Sequence, residues 1–361
     1  MAPLLKQFKI LVCAGTGGVG KTTISASLGL WAAQEGLKVL VLTIDPARRL
    51  ADALGLKAQG EAIQVTLEGV QGELWADMIH PEKVFDEFIR MSAPTPAAAE
   101  RLLRNPLYQQ LASNLSGSQE FTSLEKVLSS QESNLYDLIV LDTPPTQHAL
   151  DFLRAPQKIF NLFQESVTKW FIEDKADKNI FKKVFHRGTQ MALSALKKVT
   201  GGKFIEELSD FFDSVSALQD RLRSRSIQIH RMLSSSETGF LLVTGSDEAK
   251  MKEAKEFFQT LEQEGHRLSA VVINRVWPNW TLDGDGLSLS ESQQEKLQKL
   301  YKEIQGFTSE RLRIYDNLVQ DMGQSVQMLK IPELNRNLHG ITALRELARR
   351  LELECKGSQN I

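Results

Sequence analysis

Short runs of apolar and β-branched residues recur along the chain, and within each run the apolar positions are continuous. Continuous runs are typical of strands that are buried on both faces of a parallel sheet. A shorter run at 74–78 is a further candidate strand. Six clear runs predict strands, at 9–14, 38–44, 135–141, 239–244, 268–276 and 326–331.

Helical spacing of apolar residues predicts three helices that follow such strands, at 21–35, 248–263 and 342–354. This alternation predicts an α/β fold with a doubly wound, mostly parallel sheet. Two long stretches, about 48–130 and 151–235, break the alternation and are mostly helical in their periodicity. We therefore predict a single domain over 1–361 that carries two large α-helical insertions.

The second insertion is rich in aromatic residues, since positions 151–212 hold ten of the 26 in the chain. Two sets recur at helical spacing, which places each set on one face of a helix. If exposed, these faces would form a groove for an apolar helix, and if packed on each other and on the sheet they would be core. Both interpretations stay open here. The candidate groove residues are Phe160, Phe163, Trp170, Phe171, Phe204 and Phe211.

Charge and cysteine content exclude several classes of protein. The net charge of −2 gives no field that would attract nucleic acid, so no nucleic-acid partner is expected. Cys13 and Cys355 are too few for a disulfide framework or a four-cysteine zinc site. The chain has no run of about 18 apolar residues and no apolar run typical of a signal peptide near its start. A cytoplasmic location is expected. A lysine-rich stretch at 175–203 is either a solvated helix face or a transient contact with a membrane surface.

The sequence GTGGVGKTT fits the phosphate-binding pattern G-x-x-x-x-G-K-[ST], between a predicted strand and a predicted helix. Glycines let the main chain curl so that its N–H groups face phosphate oxygens, beside the positive end of the helix. Lys21 would reach the β and γ phosphates, and the Thr22 hydroxyl would bind Mg²⁺. The candidate nucleotide-binding residues of the loop are Gly15, Thr16, Gly17, Gly18, Val19, Gly20, Lys21, Thr22 and Thr23.

Two aspartates follow predicted strands, at the edge of the sheet where α/β proteins bind ligands. Asp45 is either a group that orients an attacking water or contacts Mg²⁺, or the N-cap of the next helix. Asp142 ends an apolar run in the Walker B arrangement and is predicted to hold the Mg²⁺ shell. The segment after it, Thr143-Pro144-Pro145-Thr146, is a candidate switch that a γ-phosphate would order.

Three segments resemble motifs of one family: GTGGVGKTT, TIDPARRLADAL and LDTPPTQHALDFL. The family comprises the arsenite-pump ATPases and the Get-pathway ATPases that target tail-anchored proteins. Its motifs read approximately GKGGVGKTT, TDPA-x-x-L-x-DAF and DTAPTGHTLR-x-L. Weaker similarity extends through LWADMIHPEKVFDEF and VVINRV to LKIPELNRNLHGITALREL near the end. The resemblance implies a P-loop NTPase fold of the SIMIBI type and an ATPase that uses ATP and Mg²⁺.

The resemblance also implies roles for individual residues. Asp45 and Lys21 would be catalytic, with Asp45 positioning the attacking water, and Asp142 would lie in the second shell of Mg²⁺. Asn274 would bind adenine, with Pro332 packed near it, and His148 would support the switch. The family works as a dimer that closes over two ATP molecules. Its long helical insertions handle the client, which here would be a hydrophobic helix or a membrane protein.

Departures from the family pattern leave alternatives open. Thr16 stands where the family has a signature lysine that reaches phosphates bound in the opposite subunit. Arg48 and Arg49 are candidates to replace that charge, although both also suit a solvated helix start. The chain would then be a self-sufficient dimeric ATPase, or a weakly catalytic subunit that pairs with a lysine-bearing paralogue. No C-x-x-C occurs, so no zinc is expected, and two cysteines disfavour an arsenite-efflux role.

Overall fold

A computed structural model gives the fold of the chain. It describes residues 3–44, 49–54, 62–106, 108–109, 118–144, 153–155, 158, 207, 211, 214, 217–276, 290–322, 326–334 and 340–357. The described strands are β1 Ile10–Gly15, β2 Lys38–Thr43, β3 Ile63–Val65, β4 Glu73–Met78, β5 Leu138–Asp142, β6 Thr238–Thr244, β7 Leu268–Val276 and β8 Gln327–Pro332. The described helices are α1 Pro3–Gln7, α2 Lys21–Gln34, α3 Arg49–Leu54, α4 Pro81–Ser92, α5 Pro96–Leu103, α6 Ser118–Glu132, α7 Gln219–Leu233, α8 Glu248–Gln263, α9 Glu291–Met322 and α10 Ile341–Gly357.

The eight strands form one sheet in the order β3-β4-β2-β5-β1-β6-β7-β8. Every pair is parallel except β3 with β4, which is antiparallel at the edge. The predicted doubly wound α/β fold is confirmed, as are the six predicted strands and the further candidate strand in β4. Besides its helices, the stretch 48–130 contributes β3 and β4 to the sheet, and β3 was not predicted from the sequence.

Alternate residues of the parallel strands build one continuous core on the side of the sheet that faces α2 and α10. Leu11 and Cys13 of β1, with Val39 and Val41 of β2, belong to this core. α2 packs against α10 as well as the sheet. Because α2 has neighbours on both sides, nearly all of its residues are buried. Gly29 allows the close approach, since a Cβ there would lie 2.4 Å from Val41 Cγ2.

The chain divides into two compact units. The first comprises Met1–Ile79, Ser129–Leu150 and Met232–Ile361, and it contains the sheet. The second comprises His80–Leu128 and Asp151–Arg231. The proposal of a single ATPase domain with insertions at about 48–130 and 151–235 stays a prediction.

Within the second unit, aromatic side chains form part of the core. The Phe85 ring stacks on Tyr108 and on Phe88, and Phe88 meets the edge of Phe121. Asp86 accepts a hydrogen bond of 2.6 Å from the Tyr108 hydroxyl. Burial, followed by this hydrogen bond, raises the pKa of Tyr108, so the hydroxyl keeps its proton and remains a donor.

A buried ion pair joins α6 to α7 in the second unit. Arg225 donates to both carboxylate oxygens of Glu125, at distances from 2.6 to 3.0 Å. Both side chains are largely buried, and the paired geometry satisfies charges that would otherwise be costly to remove from water. Among the described helices, none combines the length and the apolar character that a membrane crossing requires.

Candidate functional site

The loop between β1 and α2 has the shape that its glycines allow. β1 ends at Gly15 and α2 begins at Lys21. Gly18 and Gly20 have φ values of 76° and 89°, in the left-handed region that side chains with a Cβ rarely adopt. Gly20 also caps α2, and its carbonyl accepts the first helical bond from the Ile24 N–H at 3.0 Å. The main chain of the loop therefore curves around the N-terminus of α2. Anions bind favourably at this end of a helix.

Gly15 is required by the sheet itself. It is paired with Val243 of β6, and a Cβ at Gly15 would lie 2.0 Å from the Val243 carbonyl oxygen. That oxygen belongs to a neighbouring main chain that is fixed by the ladder between β1 and β6. A side chain at this position would push the two strands apart, so the first glycine of the motif is fixed by packing.

Lys21 folds back over the loop. Its Nζ donates a hydrogen bond of 3.0 Å to the main-chain carbonyl oxygen of Thr16, and the residue is 8% exposed. The ammonium group is thus held at the main chain of Thr16, in the loop that precedes α2. A phosphate oxygen is a stronger acceptor for an ammonium group than a carbonyl oxygen is, because the bond is then charge-assisted on both sides.

Thr16 turns its side chain into the protein. The residue is 1% exposed, and its hydroxyl has no hydrogen-bond partner within the described part of the chain. Only its main-chain carbonyl engages the site, through Lys21. In this conformation the Thr16 side chain does not project toward another molecule, in contrast to the lysine that the sequence comparison places at this position.

Asp142, at the end of β5, accepts hydrogen bonds from the hydroxyl groups of two other segments. Its Oδ2 accepts 2.7 Å from the Thr22 hydroxyl and 3.0 Å from the Thr43 hydroxyl. Asp142 and Thr43 are both buried and lie side by side in the ladder between β2 and β5. The structure therefore brings together Thr22 and Asp142, the two residues predicted to serve Mg²⁺. Sequence reasoning missed Thr43, whose only signal is a hydroxyl residue at the end of an apolar strand.

The segment that leaves β5 is tied to β1. The N–H and the hydroxyl of Thr143 both donate to the Cys13 carbonyl oxygen, at 3.1 and 2.9 Å. The hydroxyl also contacts the Pro144 carbonyl oxygen at 3.2 Å. Residues Pro145, Thr146 and His148 of the predicted switch lie outside the described residues, and so do Asp45 and Arg48. The described start of the segment is anchored two residues before the phosphate loop begins.

Asn274 connects β7 to the phosphate loop. Its Nδ2 donates 2.7 Å to the Val19 carbonyl oxygen, and its Oδ1 accepts 3.0 Å from the Arg275 N–H. Arg275 adopts φ 60° where the pairing of β7 with β8 shifts register. Pro332 ends β8 and pairs with Val276 just beyond that shift. The contact with Val19 was not predicted from the sequence.

Comparison with known proteins identifies the family of this chain. A family model described as anion-transporting ATPase matches residues 8–353, which is nearly the whole chain. The chain belongs to the anion-transporting ATPase family. The resemblance seen in the sequence is confirmed, and the protein is an ATPase.

Individual relatives of this anion-transporting ATPase are distant but extend over most of its length. The putative arsenical pump-driving ATPase 1 of Aquifex aeolicus is 27% identical, over 94% of this chain and 78% of that protein. ATPase GET3B of Arabidopsis thaliana is 26% identical, over 94% of this chain and 77% of that protein. ATPase GET3 of Malassezia globosa is 28% identical, over 75% and 73% of the two chains.

Cys13 of the ATPase is a core residue. Burial raises its pKa to about 12, because removing the thiolate from water is costly. The group is therefore a neutral thiol at physiological pH and behaves as a small apolar side chain. Within the described residues, no cluster of three or more His, Cys, Asp or Glu side chains is placed to hold a metal ion.

Of the six candidate groove residues, Phe211 alone falls within the described residues. It is 5% exposed, which fits the core interpretation of this position. Phe160, Phe163, Trp170, Phe171 and Phe204 lie outside the described residues. The groove stays a prediction.

Replacing Asn274 by alanine is expected to weaken ATP binding about tenfold, which corresponds to one buried hydrogen bond of about 1.4 kcal/mol. The reason is that Nδ2 positions the Val19 carbonyl and with it the phosphate loop. Isothermal titration with ATP and with inorganic tripolyphosphate measures the effect. Loss of loop support weakens both ligands, whereas a contact with the base alone would weaken only ATP.

Asn274→Asp is the matched variant for this test. It keeps an oxygen that accepts from the Arg275 N–H but has no donor for the Val19 carbonyl. It should therefore bind tripolyphosphate as weakly as Asn274→Ala does. Wild-type tripolyphosphate affinity in both variants would contradict the role of Asn274 as a support of the loop.

Proposed function

We propose that this ATPase is a Mg²⁺-dependent switch that closes as a dimer on ATP, opens on hydrolysis, and handles a hydrophobic membrane-protein client. The observation that carries the nucleotide part is the meeting of Thr22, Thr43 and Asp142 beside Lys21. This arrangement puts a cation, hydroxyl groups and a carboxylate at the sheet edge where α/β proteins bind ligands.

The residues present suit a magnesium ion. The Thr22 hydroxyl and the Asp142 carboxylate offer oxygen atoms, which Mg²⁺ prefers, and a carboxylate commonly reaches the ion through bound water. Bound there, the ion would neutralise charge on the β and γ phosphates. Thr43 would keep Asp142 oriented when the Thr22 hydroxyl turns toward the ion, because its bond to Oδ2 is independent.

Lys21 would exchange its bond with the Thr16 carbonyl for the β and γ phosphates. The loop N–H groups and the N-terminus of α2 would hold the same phosphates. Asp45 follows β2, two residues after Thr43, and is our candidate to orient the attacking water. Thr143 holds the start of the next segment to β1, so that movement caused by loss of the γ-phosphate would begin beyond it.

The residue at position 16 affects whether the partner subunit is an identical copy or a related chain. A buried hydroxyl brings no charge to a nucleotide in an opposite subunit, so a homodimer needs another cation, for which Arg48 and Arg49 are the candidates. The burial of Thr16 also favours a second candidate function, in which the chain is a weakly catalytic subunit paired with a lysine-bearing paralogue. The Thr16 side chain takes no part in either case.

The client is proposed from the resemblance and from the names of relatives. Relatives include ATPases named GET3 as well as a putative arsenical pump-driving ATPase. Cys13 and Cys355 are both buried, which disfavours binding of a soft metalloid through thiolates. A hydrophobic helix, handled in the cytoplasm or at a membrane surface, is therefore the preferred client class.

Steady-state ATP hydrolysis by the purified chain, with and without Mg²⁺, tests the proposal. We expect turnover that needs Mg²⁺ and that Asp45→Asn reduces by about 10²-fold or more, because the attacking water loses its positioning group. Asp137→Asn, an exposed aspartate of the same unit, is the control and should retain turnover.

The same assay separates the two candidate functions. If the wild type binds ATP without turnover, and Thr16→Lys restores it, the chain is the subunit that needs a lysine-bearing partner. If it turns over alone, the chain is self-sufficient. Turnover that is unaffected by Asp45→Asn and by removal of Mg²⁺ would contradict the proposed mechanism.

A further inference from the structure

The carboxyl end of β7 carries a bulge beside the phosphate loop. Asn274 pairs with Ile331 and Val276 pairs with Pro332, so Arg275 between them is an extra residue in the ladder with β8. An extra residue interrupts the alternation of side chains along a strand, and bulges of this kind are frequent next to binding sites. This bulge lies at the edge of the sheet where α/β proteins bind ligands.

Arg275 is held in an unfavourable main-chain conformation. Its φ of 60° lies in the left-handed region, which is costly for a residue with a Cβ and favours glycine. Its N–H donates 3.0 Å to Asn274 Oδ1, and its carbonyl oxygen accepts 3.4 Å from the Ser246 hydroxyl. Strained residues that are fixed by their surroundings cluster at ligand-binding sites. Because glycine would adopt this conformation at lower cost, a role in the turn alone does not account for an arginine.

The side chain of Arg275 is accessible, whereas that of its neighbour is not. Arg275 is exposed, and among the described residues its guanidinium group forms no ion pair. Asn274 is 9% exposed, and its amide nitrogen and oxygen both bond within the protein, to Val19 and to Arg275. Asn274 therefore offers a ligand little surface. Arg275 is the residue of this bulge whose side chain is available to a ligand.

The position of the bulge suits the base of a nucleotide rather than its phosphates. The phosphate loop follows β1, and β7 is the second strand from β1 in the sheet. Neighbouring strands lie about 4.8 Å apart, so the ends of β1 and β7 are separated by about 10 Å. The groups that suit Mg²⁺ lie on the opposite side of β1, at the ends of β5 and β2. With Mg²⁺ and the β and γ phosphates on that side, the base of the same nucleotide lies toward β7.

We propose that the guanidinium group of Arg275 stacks on the base of the bound nucleotide. A guanidinium group suits this contact because it is planar, weakly hydrated and stacks on aromatic faces. The contact uses the face of the base, which adenine shares with other bases, so it adds affinity without selecting among them. The inference rests on the proposed function for one point, the orientation of the nucleotide with Mg²⁺ on the β5 side.

Isothermal titration of Arg275→Ala with ADP and with inorganic tripolyphosphate tests the contact. ADP carries the base and has no γ-phosphate to lose, so no turnover disturbs the measurement. ADP binding should weaken about tenfold, which is within the range for a cation on an aromatic ring. Tripolyphosphate affinity should stay within about twofold, because salt screens an exposed charge about 10 Å away. Equal losses for the two ligands would assign Arg275 to the phosphates or the loop, and an unchanged ADP affinity would exclude any contact. Either result overturns the proposal.

Arg267→Ala is the matched control for the loss of charge. Arg267 is also an exposed arginine, and it immediately precedes β7, at the opposite end of the same strand. This variant should bind ADP and tripolyphosphate as the wild type does. If it weakens ADP as much as Arg275→Ala does, the effect is one of net charge and the proposal is wrong.

Arg275→Gly separates binding from a role in the turn. Glycine relieves the left-handed strain, so Tm should not fall, while ADP binding should weaken as in Arg275→Ala. Asn134→Gly is its control, because Asn134 is an exposed residue of the same unit with a φ of 52°, and it should keep wild-type ADP affinity. Wild-type ADP affinity in Arg275→Gly would overturn the proposal. So would a loss of affinity that comes with a lower Tm, since Arg275 would then serve the turn.

These titrations do not depend on hydrolysis. If the wild type binds ADP but does not hydrolyse ATP in the presence of Mg²⁺, the proposed switch is wrong. The contact of Arg275 is still decided by the comparison of ADP with tripolyphosphate. If the wild type hydrolyses ATP and Arg275→Ala binds ADP unchanged, the proposed function stands and the contact is wrong.

Discussion

Lys21→Ala is expected to lower kcat for ATP hydrolysis by about 10³-fold and to weaken ATP binding as well. Lys21 is the cation held inside the phosphate loop, with Nζ 3.0 Å from the Thr16 carbonyl oxygen. Developing charge on the transferred phosphoryl group is stabilised by such preorganised donors, and removal of one typically costs 10²–10³ in rate. The expected loss lies at the upper end because alanine removes a full charge from a buried position.

Lys9→Ala is the matched control for this variant. Lys9 is an exposed lysine of the same unit that pairs with Glu237 at the surface, so the same charge is removed far from the loop. Its kcat should stay within about twofold of the wild type, since exposed ion pairs contribute little. Thermal unfolding of both variants shows whether the fold is kept. A Lys21→Ala protein with more than about a tenth of wild-type turnover would show that Lys21 has no catalytic role.

Gly15→Ala is expected to destabilise the protein by about 3 kcal/mol or more, although it adds a single methyl group. The added Cβ would lie 2.0 Å from the Val243 carbonyl oxygen and 2.9 Å from its carbonyl carbon. Both atoms belong to a central strand, so relief requires that β1 and β6 separate where they are paired. For a chain of 361 residues this loss corresponds to a fall of about 4 °C in Tm.

Gly17→Ala is the matched control, because it makes the same change two residues later in the loop. A Cβ at Gly17 meets nothing within 4 Å, and its φ is outside the left-handed region. Its Tm should therefore match the wild type, measured by scanning calorimetry or fluorimetry on both variants. If Gly15→Ala unfolds at the same temperature as Gly17→Ala, the close approach of β1 to β6 is wrong.

The parallel sheet was predictable because its strands are buried on both faces. Continuous apolar runs located β1, β2, β5, β6, β7 and β8 to within three residues at each end. β3 was missed because it has three residues and pairs only at the edge. α9 was not predicted, although Leu297, Leu300, Tyr301 and Ile304 recur at helical spacing in its first half. Whether such elements form depends on strand pairing and on burial, and composition alone does not report either.

Local sequence motifs identified some residues of the nucleotide site, and the other residues are identified only by their tertiary contacts. The loop, Thr22 and Asp142 carry recognisable local patterns, and the structure brings Thr22 and Asp142 together. Thr43 has no motif, and its role follows only from the register of β2 with β5. The bond from Asn274 to Val19 joins residues 255 positions apart, which no local pattern reports. Asp45 lies outside the described residues, so its role stays a prediction.

The position of β1 in the sheet has a consequence for synthesis of the chain. β1 precedes both of its neighbours, β5 and β6, in the chain, so it leaves the ribosome before either of them. Ile10 pairs with Ile139 and with Thr238, so the second edge of β1 stays open until 228 further residues have left the ribosome. At about 5–20 residues per second, this interval is roughly 10–50 s. Throughout it, an apolar strand with unpaired N–H and C=O groups is available to other chains. The nascent protein is therefore itself an aggregation-prone client, and its yield in cells should depend on general chaperones that cover β1 during translation.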